Sequence, residues 1–560
     1  MAFSDLHILA SACLGWSVGI FIVQFIGISR LFRNFSKVPR PPISPSLPSS
    51  QIPHVTIIRP VKGLEPGLYE CIAATFKQDY PVDKLSIRLC ISEKSDPAYP
   101  VLQRIINDFP EFDAQVLVEE EDPVLHGVNG HVNNLGPNPK IRNISRAYRE
   151  APGDIIWIAD CNVWIGHGVA GRMVDKLMGF RAGGQRGPMY KFVHQLPLLV
   201  DIDRPKTAGT EPLLSVASSF TPTISGTPVS TPRRKIQSLS NAFSSGGGLL
   251  DEMFMATSHA KFYSAINTVS VAPCIVGKSN MFRKSHLDML TDPDQNPVLK
   301  GQDKSHPKGI DYFSIYICED HLIGDLLWRS KIPGFRNHGM CLGDFAIQPT
   351  SSMPVSAFFA RRSRWLRARK WTVPAATIVE PGVESLVCCG AFAYAATSLP
   401  WFANRLGIPP TSTAQFIIWA LAVLLWMMFD YMTFCMLHRG SSIEADHDTP
   451  MWARGTEKNE GSTRRPFRQW ALTWIGRELL ALPIWTYAVL LGTTVNWRGR
   501  SFRVRMDMRV VELQKTDNYM ICGSDGSQAR YSPTHRGNGS GTRTPEIEMG
   551  RSASDSRRLD

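Results

Sequence analysis

Hydrophobic and polar positions divide the chain into stretches of different period. Ile8 to Ile28 runs for about 21 residues without a formal charge, close to the ~20 an α-helix needs to cross a hydrocarbon core, and it predicts a membrane-spanning helix. A cleaved signal peptide would carry a positive segment ahead of such a run. Here Asp5 and His7 stand there, and Arg30, Arg33, Lys37 and Arg40 follow instead. Basic residues stay on the cytoplasmic side, so the pattern places a short N-terminus in the lumen and everything after Arg30 in the cytosol. A Pro/Ser-rich linker over 31–53 comes next.

From Val55 the period changes. Val55 to Ile58, Leu85 to Ser92 and Asp154 to Ala159 are short, strand-like runs bounded by Pro, Gly and Asp, with helical patterns around Glu65 to Phe76 and Val101 to Phe109. Such alternation predicts an α/β domain over 54–380 with a mainly parallel, doubly wound sheet. Ligands of such sheets lie beyond the C-terminal ends of the strands, where Asp96 and Asp160 fall. Two polar segments, about 204–248 and 292–308, predict disordered insertions, and the Ser-, Gly- and Arg-rich tail over 514–560 reads the same way.

Three further apolar stretches, Ser385 to Phe402, Thr413 to Leu437 and Leu479 to Thr494, predict a C-terminal membrane region over 381–497. The second is a full span. The first contains Pro400 and the third follows Arg477-Glu478 directly, so either is a span, a re-entrant segment or an interfacial one. Two crossings would return the basic segment 498–513, with Arg498, Arg500, Arg503 and Arg505, to the cytosol, and the positive-inside tendency favours that count. Asp430, inside the second stretch, is costly in lipid and predicts a polar partner.

Composition changes the picture in two respects. The net charge of +12 suits nucleic acid, anionic lipid or a phosphorylated substrate, and 11 cysteines with no CxxC pair argue against a zinc site or a secreted disulfide framework. The basic run Arg361 to Trp371 abuts membrane segments, with no recognition module around it, which speaks against nucleic acid. It reads as a solvated face, an interfacial helix or a clamp for a diphosphate.

Asp160-Cys161-Asn162 ends a strand-like run as a D-x-N variant of the acidic D-x-D signature. One carboxylate plus substrate phosphates can hold Mg²⁺ or Mn²⁺, although an Asp in that place is often only a turn residue. Glu319-Asp320 opens an apolar helical pattern, where an acid is either an N-terminal cap or a general base within reach of an attacking hydroxyl.

The order of these blocks and their neighbours resembles the ceramide glucosyltransferases of glycosyltransferase family 2, in a form like the fungal members. The residues carrying the resemblance are Val55 to Gly63, Asp79-Tyr80-Pro81, Ser95-Asp96-Pro97-Ala98, Asn138-Pro139-Lys140-Ile141, Ile156 to Asp160, Thr257-Ser258-His259, Glu319-Asp320 and Arg361-x-x-Arg364-Trp365. The resemblance implies a GT-A fold on the cytosolic face of the Golgi membrane, an N-terminal anchor and C-terminal membrane helices. It implies transfer of glucose from UDP-glucose to the primary hydroxyl of ceramide with inversion, at the bilayer, with Mg²⁺ or Mn²⁺. Asp320 is then the catalytic base and Asp160 the metal aspartate. Asp96, Asp160, Lys140, Arg361, Arg364 and Trp365 are expected around the donor, and His259 on the acceptor side. A polysaccharide synthase is the nearest rival; such enzymes usually carry Gln where Arg361 stands here. A non-catalytic membrane scaffold is the alternative from a different class.

Overall fold

The computed structural model describes residues 3–126, 135–202, 234–299, 307–456, 464–497 and 499–513. Seven strands, β1 (Val55–Pro60), β2 (Leu85–Ile91), β3 (Asp113–Val118), β4 (Ile155–Ala159), β5 (Met189–Asp201), β6 (Ser279–Arg283) and β7 (Phe335–Thr350), form one sheet in the order β3-β2-β1-β4-β6-β5-β7. The α/β class expected from the sequence is present. The sheet is mixed rather than mainly parallel: β3, β2, β1 and β4 run parallel, and β6 is antiparallel to both β4 and β5. Val55–Pro60 and Leu85–Ile91 are buried along their whole length, as expected for strands covered on both faces by helices.

The helices before the C-terminal region are α1 (Phe3–Phe35), α2 (Leu68–Ala73), α3 (Tyr99–Asp108), α4 (Pro139–Arg149), α5 (Val169–Met178), α6 (Arg234–Phe254), α7 (Ala260–Val269), α8 (Lys284–Thr291), α9 (Glu319–Arg329) and α10 (Val355–Arg369). The strand order turns at β1/β4, the switch point beyond which ligands of open α/β sheets sit. Asp160 follows β4, Gly63 follows β1 and Asp96 follows β2, so all three lie at one end of the sheet. β6 runs the other way, and its start comes to that same end.

Three expectations need correction. The insertion expected over 204–248 overlaps α6, which begins at Arg234; residues 203–233 lie outside the described residues. Gly247 explains the misreading. Its N–H donates to the Met353 carbonyl at 2.9 Å, and a Cβ there would overlap the Pro354 carbonyl, so this Gly-rich stretch is a close packing surface. Within 292–308, residues 300–306 lie outside the described residues, while Leu299 is buried in a 3₁₀ turn, Pro297–Leu299. The Pro/Ser linker is docked, because the N–H groups of Ile43 and Ser44 donate to the Asp175 carboxylate on α5 at 2.6 and 2.7 Å. The expected tail over 514–560 also lies outside the described residues.

The C-terminal region holds α11 (Pro374–Val379), α12 (Ser385–Ser398), α13 (Pro400–Leu406), α14 (Ser412–Arg439) and α15 (Phe467–Trp485). Among the described residues two helices are long and apolar enough to cross a membrane, Asp5–Phe35 and Ser412–Arg439; a bent pair, Pro374–Val383 with Ser385–Ser398 at 72°, makes a third if it is one broken span. The third apolar stretch is not among these helices. Its helix begins back at Phe467, carries Pro483 inside, and turns its charged pair Arg477 and Glu478 into the protein while Leu472 and Leu479 face out.

Asp430 of α14 is fully buried and ion-paired with Lys261 of α7, and Trp474 Nε1 donates to it at 2.7 Å, so its polar partners come from the protein. Gly27 of α1 lies against the Lys261 carbonyl, where a Cβ would overlap it. The apolar helices α1 and α14 are therefore packed directly on the α/β body.

The basic segment 498–513 is not a plain juxtamembrane run. β8 (Thr494–Trp497), β9 (Arg500–Val504) and β10 (Val510–Leu513) form a small antiparallel sheet, whose inward Val495, Phe502, Val504 and Val510 pack with Ile317 and Trp371. Tyr316 and Arg509 form an isolated bridge. This small sheet thus packs against the segment that leads into α9 of the α/β body.

Candidate active site

The site is assembled by four pieces of chain. Asn138 caps α4, its side-chain oxygen accepting from the Lys140 and Ile141 N–H groups at 2.8 and 3.1 Å, with Pro139 at the first helical position. That cap fixes where Lys140 leaves the helix. Asn138 Nδ2 also donates to Glu319 Oε2 at 2.9 Å and to the Tyr316 carbonyl at 2.5 Å, tying the start of α4 to the start of α9.

Lys140 is the hub. Its Nζ lies 2.9 Å from Asp320 Oδ2, 3.3 Å from Asp160 Oδ1 and 3.4 Å from Glu319 Oε1. Burial alone would push the Lys140 ammonium down, but the carboxylates of Asp160, Asp320 and Glu319 outweigh it and hold it well above the usual lysine range. Asp160 is half-buried, and Lys140 and Lys278 outweigh the cost of that burial and hold its carboxyl below the usual range. Glu319 is pushed the other way, up to about 7, by burial and by Asp320.

Lys278 reaches Asp160 through the sheet register. Ala159 pairs with Ser279 across antiparallel β4 and β6, so the next pair outward is Asp160 with Lys278. The Asp160 N–H donates to the Lys278 carbonyl at 3.0 Å, and Lys278 Nζ donates to Asp160 Oδ2 at 2.9 Å. Gly277 lets the two acid-bearing loops meet, since a Cβ there would overlap the Asp320 carboxylate. Buried Arg59 on β1 holds the loop after Asp160 from below, donating to the Cys71 and Val163 carbonyls at 2.6 and 2.8 Å.

Of the residues expected from the sequence, the structure brings Lys140, Asp160 and Asp320 together. The side chains of Glu319 and Asp320 do not cap α9; they face Lys140 and Asn138. The Asp96 carboxylate instead accepts the Gly63 N–H at 3.0 Å and the Ala98 N–H at 2.9 Å, pinning the β1 loop at the same end of the sheet. Arg361 forms an ion pair with Asp251 of α6 at 3.0 Å and donates to Gln348 at 3.2 Å. Its guanidinium also lies 4.8 Å from the Trp365 ring centre, and Trp365 packs against Leu199, Phe254 and Met255. Arg364 sits one turn along the same helix.

His259 stacks on Tyr263 with ring centres 5.2 Å apart and lies 5.7 Å from Phe254, over which Arg362 sits at 3.6 Å. Burial, then Arg362 and Arg369, lower His259 to about 3, so the imidazole is neutral at physiological pH. It belongs to the neighbourhood of α10.

Sequence reasoning missed three contributors. Lys278 carries no local signal, because only the β4/β6 register makes it a partner of Asp160. Glu319 reads from the sequence, with Asp320, as a helix cap or a general base, not as a partner of Lys140. Asn138 did have a signal, since Asn followed by Pro is a helix-start pattern.

A divalent metal fits the donor set in part. Asp160 offers a carboxylate with 24 % side-chain exposure, and Asn162 Oδ1 is buried without a hydrogen-bond partner. Hard cations take such oxygens and complete their shell from phosphates and water. No cluster of three or more His, Cys, Asp and Glu side chains suited to a metal occurs among the described residues.

The model of glycosyl transferase family 21 matches residues 19–195 and 295–510. The chain is 56% identical over 508 residues to a ceramide glucosyltransferase of Pyricularia oryzae, covering 90% of this chain and 95% of that one. It is 49% identical over 551 residues to a ceramide glucosyltransferase of Gibberella zeae, covering 98% of each. Among solved structures, the mannosyltransferase PcManGT from Pyrobaculum calidifontis in complex with GDP-Man and Mn²⁺ aligns with a TM-score of 0.36 at 16% identity, over 76% of this chain and 95% of that one. The resemblance to ceramide glucosyltransferases is borne out, and the matching family is numbered 21 where the sequence reading gave 2. With the match running through both halves of the sheet and into the C-terminal strands, the chain belongs to glycosyl transferase family 21.

Proposed function

We propose that the protein transfers glucose from UDP-glucose to the primary hydroxyl of ceramide, giving β-glucosylceramide and UDP, on a GT-A-type sheet held at the cytosolic face of the Golgi membrane. The observation that carries this reading is the convergence of Asp160, Asp320 and Lys140 at the β1/β4 switch point, in a chain close to full-length ceramide glucosyltransferases.

Asp320 and Glu319 share Lys140, and exposure separates their roles. The Asp320 side chain is 23 % exposed and that of Glu319 4 %, so Asp320 is the carboxylate an incoming hydroxyl can reach. Lys140 uses part of its acceptor capacity and fixes its orientation, leaving lone pairs for the hydroxyl. As the hydroxyl oxygen bonds to the anomeric carbon, Asp320 takes its proton and the bond from that carbon to the diphosphate oxygen breaks. One displacement of this kind inverts the anomeric centre without a covalent enzyme intermediate. The leaving diphosphate gathers negative charge, which preorganised cations stabilise.

Asp160 with Asn162 would hold a divalent metal, whose chemistry is to neutralise the diphosphate. Asp96 shapes the pocket beside them through the Gly63 loop. Arg361, Arg364 and Trp365 lie on α10, which leads into the bent pair at the membrane, a suitable place for the helix that closes over donor and lipid head. His259, neutral and among aromatic rings, lines the acceptor side. The apolar helices α1 and α14 suit an acceptor that stays in the bilayer.

The reading is tested with membranes containing the protein, UDP-glucose, Mg²⁺ or Mn²⁺ and ceramide. A β-linked monohexosyl lipid supports it; a glucan in place of lipid product would assign the chain to polymer synthesis.

A further inference from the structure

The charges around Asp160 are unevenly shared. Lys140 serves three carboxylates, at 2.9, 3.3 and 3.4 Å, so its charge is spent within the protein. Lys278 is placed differently. Its one ion pair among the described residues is with Asp160, at 2.9 Å, and its side chain is 11 % exposed beside an Asp160 that is 24 % exposed. An ammonium has three N–H donors, and this contact uses one. The register of β4 and β6 fixes the backbone of Lys278 next to that of Asp160, so the ammonium stands at the carboxylate where a divalent ion would bind.

We propose that Lys278 is a built-in cation of the donor diphosphate site: it contacts the diphosphate and supplies a component of nucleoside diphosphate binding that needs no divalent metal. The inference rests on the reading that the donor is a nucleoside diphosphate sugar, and it adds a binding residue that the family resemblance did not point to. Without Lys278, the acids Asp160, Glu319 and Asp320 would face the diphosphate with Lys140 as their remaining ion-pair partner among the described residues. A second anion brought there would be repelled unless a metal came with it. With Lys278 present, the two N–H donors not used by Asp160 are available to phosphate oxygens, and a charge-assisted hydrogen bond of this kind is among the stronger polar contacts.

The test uses the purified full-length protein and compares wild type with Lys278→Met and Lys278→Arg. UDP and GDP binding is measured by titration calorimetry in EDTA and again in Mn²⁺. In EDTA, Lys278→Met is expected to weaken UDP binding by about tenfold or more, and in Mn²⁺ by no more than about threefold, the metal replacing the lost charge. Lys278→Arg is expected to keep the wild-type affinity in EDTA to within about threefold, because it restores the cation. An equal loss with and without Mn²⁺ would overturn the proposal and leave Lys278 a prop for Asp160. So would an unchanged affinity in EDTA. GDP separates the two readings: the same Lys278 effect on GDP, with UDP bound no better than GDP, supports Lys278 and counts against UDP-glucose as donor.

Discussion

Lys140 Nζ stands 2.9 Å from Asp320 Oδ2 although 180 positions separate the two residues, one near the start of α4 and the other in the first turn of α9. The contact joins the half of the sheet that carries Asp160 to the segment that carries the proposed base. It also sets what happens when either partner is removed.

Replacing Lys140 by Met leaves Asp160, Glu319 and Asp320 facing one another, with Lys278 on Asp160 as the remaining ion pair of the three among the described residues. The turnover number in the lipid transfer assay is expected to fall by roughly 10²–10³, the scale of losing one preorganised charge at a reacting centre. Lys140→Arg should not rescue it, because a planar fork cannot replace a point charge shared by three carboxylates. Recovery of more than half the wild-type rate in the Arg variant would contradict this geometry.

Gly277 has no room for a side chain. Gly277→Ala pushes the Asp320 carboxylate from its place beside Lys140, and a displacement of about 1 Å at a reacting group can cost ~10²-fold in rate. Nucleotide binding, which rests on Asp160 and Lys278, should change far less, so comparing turnover with UDP affinity separates displacement of the base from general damage to the fold.

Glu319 gives a pH-dependent stability with a defined sign. Its folded pKa is raised from 4.5 to about 7, so across that window the native state keeps a proton that the unfolded chain has lost. The associated stability is fully present below pH 4.5 and is lost as pH rises through about 7. Thermal unfolding of detergent-solubilised protein should show the wild-type midpoint falling from pH 5 to 8 more steeply than that of Glu319→Gln. Parallel curves would remove Glu319 as the source.

The buried pair Lys261 and Asp430 joins α7 to the apolar helix α14. Breaking such a pair from one side leaves an uncompensated charge and typically costs about 3–5 kcal/mol. Lys261→Met should therefore lower the unfolding midpoint sharply, and the double variant Lys261→Met with Asp430→Leu should recover much of that loss. A double variant no more stable than the single one would show that the remaining contacts of Asp430, to Trp474 and Arg477, carry the anchoring instead.

Local pattern revealed much of this protein. The strands that deliver Asp160 and the β1 loop are continuous runs buried on both faces, and the N-terminal apolar helix is plain from its length. What local pattern hides is set by pairing between distant segments. Lys278 looks ordinary in Val276-Gly277-Lys278-Ser279 until antiparallel β6 puts it opposite Asp160. The Gly-rich stretch 246–248 in the later half of α6 looks like a linker, because the close approach to Pro354 that makes glycine useful there involves a segment about a hundred residues away. The strands at 494–513 are masked by their exposed arginines, although Phe502 and Val504 alternate inward with the period of a strand. Asp96 was legible as an acid at the right end of the sheet, but not the backbone N–H groups it would accept from.

The most direct test of the central claim is glucose transfer from UDP-glucose to ceramide by wild type and Asp320→Asn, with UDP affinity measured on the same preparations. The account predicts β-glucosylceramide from wild type, a fall in turnover of about 10³-fold or more in Asp320→Asn, and UDP affinity within about threefold of wild type. Equal turnover from the two proteins would contradict it by removing Asp320 as the base.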